Sequence, residues 1–349
     1  MFENHEMTTL NFLPGPIAVL PEVRAAFAAE IISHRSEAFL AVRADTLARL
    51  RGLTHARHCA LTMGSATLAN EMIAQQLLQI QGRGLVLSNG AFGERLAMQA
   101  LRHGLDFDVH AQEWSVGFDR PALFQKLQDK AWVWFVLCET STGMINAYED
   151  VLAFCKPRGI RLCLDAISAL GNMKLDLRDV YLASGTSGKG LGAFAGLALV
   201  FYNHEVAPSP SIPAYLDLGV FHDEACVPFT LLSHLLLALH AALVHTDFKK
   251  KLEETAKMAA LIRAMMARHQ LQTPAAEGQA DFVWSLALPP SISAQDLGQA
   301  LEARGVRLYY QGSYLPARNW IQLALMGPLT VEDAERGIAV MDEVLSLFP

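Results

Sequence analysis

IRLCLDAISALGNMKLDLRDVYLASGTSGKGLGAFAGLALV, residues 160–200, is the stretch from which the fold can be read. Ile160–Leu164 and Val180–Ala183 are short, apolar runs bounded by turn residues, and they read as buried parallel strands. Asp165 stands where the first run ends. Lys189 comes after the second, 24 residues further on, in a loop of Gly, Ser and Thr. A carboxylate at the C-terminal edge of one strand and an amine past the next fit the crevice outside the strand ends of an open α/β sheet.

One chemistry that needs such a pair is a lysine that forms an aldimine with pyridoxal phosphate, the Asp holding the ring nitrogen. The same residues have ordinary readings too. An Asp after a strand serves as a turn or helix-cap residue, and a Lys in a Gly-rich loop is commonly solvated. A phosphate-binding P-loop would need Gly at 183 and Ser or Thr at 190; Ala183 and Gly190 stand there instead.

The same architecture extends upstream. Residues 59–80, CALTMGSATLANEMIAQQLLQI, run from an apolar strand through Gly64, Ser65, Ala66 and Thr67 into a helix. Small residues at a helix N-terminus leave backbone N–H groups free beside the positive dipole end, which suits a phosphate as well as an ordinary Ser/Thr cap. Residues 85–101 repeat the pattern, with Phe92 at the mouth of the turn, and WVWFVLC (132–138) followed by ETSTG repeats it again. Strand, polar strand end and helix alternate from 59 to 200, which predicts a doubly wound, mainly parallel sheet. Ahead of it, NFLPGPIAVL is extended, Pro21–Glu30 reads as a short helix, and Ser36 opens another through Leu50. Thr230–Arg268 reads as one or two long helices, and 281–346 as a smaller α/β unit. The expected organisation is an extended segment at 1–20, a large domain at 21–240 and a small C-terminal α/β domain at 241–349.

The chain has 349 residues, 52% hydrophobic and 18% charged, enough to bury a large core. Its net charge of −7, without a basic run, speaks against nucleic acid as a partner. No apolar stretch reaches the roughly 20 residues of a membrane span, and MFENHEMTTLNF lacks the basic and apolar regions of a signal peptide. Cys59, Cys138, Cys155, Cys163 and Cys226 show no CxxC spacing and read as buried free thiols of a cytoplasmic protein, with no metal called for.

Taken in order, LPGP (13–16), GSATLANE (64–71), SNGAFGERL (88–96), ETSTGMIN (139–146), DAISALG (165–171), SGTSGKGLGAFAG (184–196), PFTLLSH (228–234) and IQLALMG (321–327) resemble the class V aminotransferases of pyridoxal phosphate fold type I. They are most similar to the 2-aminoethylphosphonate–pyruvate and alanine–glyoxylate enzymes. The resemblance implies an aminotransferase moving an amino group from a small amine or amino acid to a 2-oxo acid such as pyruvate or glyoxylate. A lyase on the same scaffold, or a non-catalytic protein that binds the cofactor, are the alternatives. It also implies roles: Lys189 as the aldimine lysine and proton shuttle, Asp165 at the pyridine nitrogen, Ile167 and Phe92 against the two ring faces. Ser65, Ala66 and Thr67 would cradle the phosphate, and Ser141 would lie near the phenolic oxygen. Thr230 would reach the phosphate of a neighbouring subunit, which implies a homodimer.

Three positions depart from the family pattern. Gly188 replaces a Gln or Asn before the lysine, and Val227 replaces a Tyr, so the phosphate grip would be weaker or shared with residues such as Ser187 or His234. Gln322 replaces the Arg that clamps a substrate carboxylate, and Arg318 or Arg35 are the candidates to substitute for it.

Overall fold

The computed structural model describes residues 9–223, 226–275 and 277–348. Its centre is a seven-stranded sheet: β1 (His58–Met63), β2 (Gly84–Ser88), β3 (Phe107–Ala111), β4 (Trp132–Val136), β5 (Arg161–Asp165), β6 (Leu182–Thr186) and β7 (Leu197–Tyr202). The spatial order is β1-β7-β6-β5-β4-β2-β3. Neighbours from β6 through β3 pair in parallel. β7 runs antiparallel to both β1 and β6, so β1 points the same way as the parallel strands. The mainly parallel sheet expected from the sequence is present.

Burial on both faces explains why these strands read as continuous apolar runs. In β4, Trp132 and Trp134 join one core layer with Met72, Ile73 and Leu96 of the helices α3 (Ala66–Leu77) and α4 (Ala91–Arg102). Val133 and Phe135 join the layer on the other face with Leu162, Leu164 and Leu199. Each such side chain contributes about 1.5–3 kcal/mol by leaving water.

β6 sits later than its sequence predicts. Val180–Ala183 is the apolar run, yet the strand is Leu182–Thr186, and Val180 closes a turn onto Leu177. Ser184, Gly185 and Thr186 are fully or nearly buried. A Cβ on Gly185 would stand 2.7 Å from Leu170 Cδ2, so the centre of the sheet selects small residues there over apolar ones. β5 keeps its expected place, with Asp165 as its last residue.

Ser36 caps α2 (Glu37–Thr54) by accepting the Phe39 N–H, as the sequence suggests, though the helix runs past Leu50. The first helix, α1 (Pro21–Phe27), is shorter than expected. Thr230–Arg268 divides into α5 (Ser233–His245) and α6 (Phe248–Arg268), the latter capped by Asp247. Residue 240 lies inside α5, whose buried Leu236, Leu239 and Ala242 pack into the large core. A second core begins along α6 at Met258 and includes the antiparallel strands Val283–Ala287 and Trp320–Ala324 with the helices Ala294–Glu302 and Val331–Leu345.

Residues 1–8 of the expected N-terminal segment lie outside the described residues, and with them most of the stretch inspected for a signal peptide. The segment from Leu10 onward is built into the second core. Leu10–Asn11 pairs in parallel with Val306–Arg307, the Phe12 carbonyl accepts the Ala324 N–H at 2.7 Å, and the Phe12 ring is fully buried. Four cysteines are buried; Cys226, expected with them, is exposed on an irregular segment. No helix among the described residues is long and apolar enough to cross a membrane.

Removing the Phe12 ring leaves a cavity under the segment it anchors. Phe12→Ala should lower stability by about 3–5 kcal/mol, measured by denaturant unfolding. A loss below about 1 kcal/mol would mean that the segment is not anchored by its burial.

Candidate active site

The C-terminal ends of β1, β2, β4, β5 and β6 open on one edge of the sheet, and Ser65, Ala66, Thr67, Phe92, Ser141, Asp165, Ile167 and Lys189 lie at them or on the segments that follow. In the ladder Asp165 lies opposite Ser184, which puts Lys189 five residues beyond the carboxylate's level on the adjacent strand.

Asp165 is buried, with 5% of its surface exposed. Its Oδ2 accepts Asn70 Nδ2 at 2.8 Å and its Oδ1 accepts the Ile167 N–H at 3.1 Å. It has no ion-pair partner among the described residues. Burial raises its pKa; the bonds from Asn70 and Ile167 and the charges of Arg95 and Lys189 pull the other way. Asn70 is a site residue that the sequence motifs do not single out. Its signal is a fully buried amide on the face of α3 that otherwise carries Ala69, Met72 and Ile73.

Lys189 is partly buried and donates from Nζ to the Pro14 carbonyl at 2.7 Å. Burial draws its pKa down to about 8, against the raising influence of Asp165 and Cys138. The LPGP turn therefore lies directly over the amine, and a Cβ on Gly15 would stand 3.4 Å from Nζ. On the far side, Lys251 of α6 donates to the Gly190 carbonyl and to Asn172 Oδ1 (3.0 Å), clamping the residue after Lys189.

α3 begins at Ser65, whose hydroxyl makes no cap bond with its own helix. Ser65 is exposed, and Ala66 and Thr67 are partly so. The Leu68 N–H closes onto the Ser65 carbonyl at 2.9 Å, the N–H groups of Ala66 and Thr67 have no acceptor among the described residues, and one turn further on the same helix delivers Asn70 to Asp165.

Between β2 and β4 the winding of the sheet reverses, and a second carboxylate fills the crevice. Glu139 is fully buried. Its Oε2 accepts the N–H groups of Phe92 (3.1 Å) and Gly93 (2.9 Å) at the start of α4, and its Oε1 accepts Ser141 Oγ–H and the Ser141 N–H. Burial raises its pKa and these donors oppose that. Ser141 Oγ in turn accepts the Ala91 N–H at 3.1 Å, so both Ser141 and the backbone of Phe92 are held by Glu139. The ETSTG motif points to its serine; the acid that positions that serine emerges only in the fold.

Gly188 has a steric explanation. A Cβ there would lie 2.7 Å from Ala195 Cα, so the larger residue of the family pattern has no room. Neither substitute named for the phosphate is free. Ser187 Oγ donates to the Phe194 carbonyl and accepts the Leu197 N–H, and His234 Nε2 bonds the Ala29 carbonyl. Val227 and Thr230 lie on an irregular segment beside β1, Thr230 exposed.

Gln322 is 1% exposed, and its Nε2 donates to the Thr140 carbonyl and to Ser285 Oγ (2.9 Å). The amide thus joins the small-domain sheet to the ETSTG loop. Arg318 is exposed, its guanidinium carbon 3.7 Å from the Trp114 ring centroid and 5.5 Å from that of Trp320. Arg35 is exposed in the loop before α2, its Nε 3.3 Å from His34 Nε2. The structure therefore places both arginines on partners other than the groups around Lys189. His58, Glu205 and His222 bring donor atoms within 4.8 Å of one another, but at the opposite strand edge, where Arg57 and His222 both pair with Glu205 at 2.8 Å.

These residues fit pyridoxal phosphate. A buried carboxylate without a cation of its own suits a protonated ring nitrogen, an amine shifted to about 8 is available as a nucleophile, and an uncapped helix end suits the phosphate. The Asn70 Oδ1, buried and without a hydrogen-bond partner, marks polar capacity still unused beside Asp165.

A family model described as aminotransferase class-V matches residues 29–209. The chain is 27% identical over 354 residues to a 2-aminoethylphosphonate–pyruvate transaminase of Pseudomonas fluorescens (strain Pf0-1), 95% of each chain being covered. Among solved structures, a subgroup IV aspartate aminotransferase from Thermus thermophilus matches with a TM-score of 0.89 at 24% identity, covering 97% of this chain and 99% of the other. An alanine–glyoxylate aminotransferase from Nostoc sp. matches with a TM-score of 0.89 at 22% identity, covering 99% and 97%. At these identities the two structures establish the shared fold.

The depressed pKa of Lys189 has a sign that can be tested. The folded chain releases the proton near pH 8, where an ordinary lysine holds it to 10.5. The rate at which Lys189 captures added pyridoxal phosphate should therefore rise with pH to about 8 and then level off. Stopped-flow absorbance measures it, and a rate still climbing through pH 10 would contradict the shift. By linkage, the unfolded chain binds the extra proton between these values, so this group's contribution to stability rises with pH across that window.

Proposed function

The chain belongs to the class V aminotransferases, which work with pyridoxal phosphate, and from that premise we propose that Lys189 and Asp165 are its catalytic pair and pyruvate or glyoxylate its amino acceptor. The observation that carries this reading is the placing, at adjacent strand ends, of a desolvated amine and a buried carboxylate that has no ion-pair partner among the described residues.

The bound cofactor supplies an electron sink for the pair of electrons left when a substrate C–H bond breaks. The chain's own groups do the rest. Asp165, as a carboxylate, keeps a proton on the nitrogen it faces, and Asn70 and the Ile167 N–H fix its orientation. Lys189 Nζ would accept the substrate proton and return it, a task for which a pKa of about 8 is suited. Ser65, Ala66 and Thr67 would hold the phosphate at the open end of α3. Phe92 and Ile167 would lie against the two faces of the ring, with Phe92 fixed by its N–H bond to Glu139. The Pro14–Gly15 turn lies against the amine.

The donor is a small amine or amino acid. The Pseudomonas fluorescens relative is named for 2-aminoethylphosphonate and pyruvate, which supports testing that pair first. With a panel of 2-aminoethylphosphonate, alanine and serine, the true donor should convert the cofactor to its amine form, and pyruvate or glyoxylate should restore the aldehyde form. Product release with no change of cofactor form would instead assign a lyase.

We further read the chain as a cytoplasmic homodimer in which Thr230 completes the neighbouring phosphate site. Its exposure on a segment free of regular structure supports that reading. Light scattering should give the mass of two chains, and Thr230→Ala should weaken cofactor binding without changing that mass. A monomer that binds the cofactor fully would refute it.

A further inference from the structure

The amide at 322 cannot neutralise an acidic substrate group, and its N–H donors are already given to Thr140 and Ser285. Arg318 lies against Trp114, and Arg35 sits in an exposed loop. A different cation is coupled to the reacting groups. Arg95 lies one turn into α4, and its guanidinium carbon is 4.6 Å from the Phe92 ring centroid. It has no ion-pair partner among the described residues, and it is exposed.

The acids around it are occupied. Glu139 is saturated by Phe92, Gly93 and Ser141, and Glu94 accepts Trp114 Nε1 at 2.7 Å. Burial dominates the pKa values of Asp165, Lys189 and Tyr314, yet the Arg95 charge is felt at all three. Arg95 is rooted at the same helix start as Phe92, over whose ring its guanidinium lies, and that start opens on the strand-end edge that carries Asp165 and Lys189. A planar guanidinium offers paired N–H donors that match a carboxylate or phosphonate.

We propose that Arg95 binds the acidic group of the substrates, filling the role of anion clamp that the amide at 322 cannot. This rests on the aminotransferase reading for its consequence in turnover, but not for anion binding itself. The clamp approaches from the Phe92 side, on the large domain, rather than from the small-domain sheet. Arg95 acts by binding and orienting, and no bond is made or broken at it.

The test uses holoenzyme, whose phosphate pocket is filled, and the variants Arg95→Gln and Arg95→Lys. Calorimetry with the unreactive anions propionate and methylphosphonate reads binding alone. Arg95→Gln should weaken the preferred anion by about 10- to 100-fold, and Arg95→Lys should retain part of the affinity because the charge survives without the planar fork. The stronger of the two anions distinguishes a carboxylate from a phosphonate substrate. In turnover the loss should fall on KM for 2-aminoethylphosphonate and β-alanine, and spare the neutral amine propylamine. Unchanged anion binding in Arg95→Gln, with the cofactor spectrum intact, would overturn the proposal. Anion binding that depends on Arg95 in a protein that transaminates none of these donors would leave the clamp standing and overturn the aminotransferase reading instead.

Discussion

A carboxylate and an amine are held in the same low-dielectric crevice without being allowed to neutralise each other. Asp165 and Lys189 each feel the other's charge, but neither makes an ion pair among the described residues, and at each the cost of burial outweighs the contacts that offset it. Such an arrangement persists only if neighbouring elements prevent both collapse and solvation. Asn70 and the Ile167 N–H hold the carboxylate. The Pro14 carbonyl holds the amine. Much of the rest of the chain is placed so that these three contacts come from α3, from the turn after β5 and from the N-terminal segment.

Glu139 applies the same physics to a structural end. A fully buried carboxylate becomes tolerable when several donors converge on it. Here the donors are the first free N–H groups of α4, which need an acceptor themselves. One side chain thus satisfies a helix end, aligns the loops after β2 and β4, and sets the backbone from which Phe92 and Arg95 project. Helix α3 has the opposite character, with its end left open. Two helices start at the same edge of the sheet; one N-terminus is filled from within and the other is available to a ligand.

The alternation of strands and helices is legible in the sequence because burial on both faces leaves an apolar run, as in WVWFV, and because caps such as Ser36 announce a helix. Asp165 and Lys189 are legible as the polar residues at the ends of such runs. The exact span of β6 is not, since its centre needs small residues for packing and hydrophobicity carries no record of size. Asn70 and Glu139 escape for a related reason. Each is polar inside an otherwise apolar or turn-like motif, and its value lies in a partner 95 or 46 residues away in the chain. The meaning of Gly188 also requires the fold, because only the approach of Ala195 shows that no side chain fits. Gln322 is visible as a departure, but that its amide is spent on Thr140 and Ser285 is not.

The two cores are joined through the site rather than beside it. The segment from Leu10 to Phe12 is part of the small-domain core, and two residues later its Pro14 carbonyl meets Lys189 Nζ. Helix α6 belongs to the small core from Met258 onward, yet near its start Lys251 holds the Gly190 carbonyl. Burial, with no carboxylate to offset it, lowers the Lys251 pKa to about 7; its tolerance there depends on the two oxygens it reaches, Gly190 O and Asn172 Oδ1. Gln322 adds a third tie, from the strand Trp320–Ala324 to the Thr140 carbonyl. Each tie ends on a backbone carbonyl, which cannot titrate and has little freedom to move. The elements of the second core therefore fix the position of Lys189 by directed hydrogen bonds.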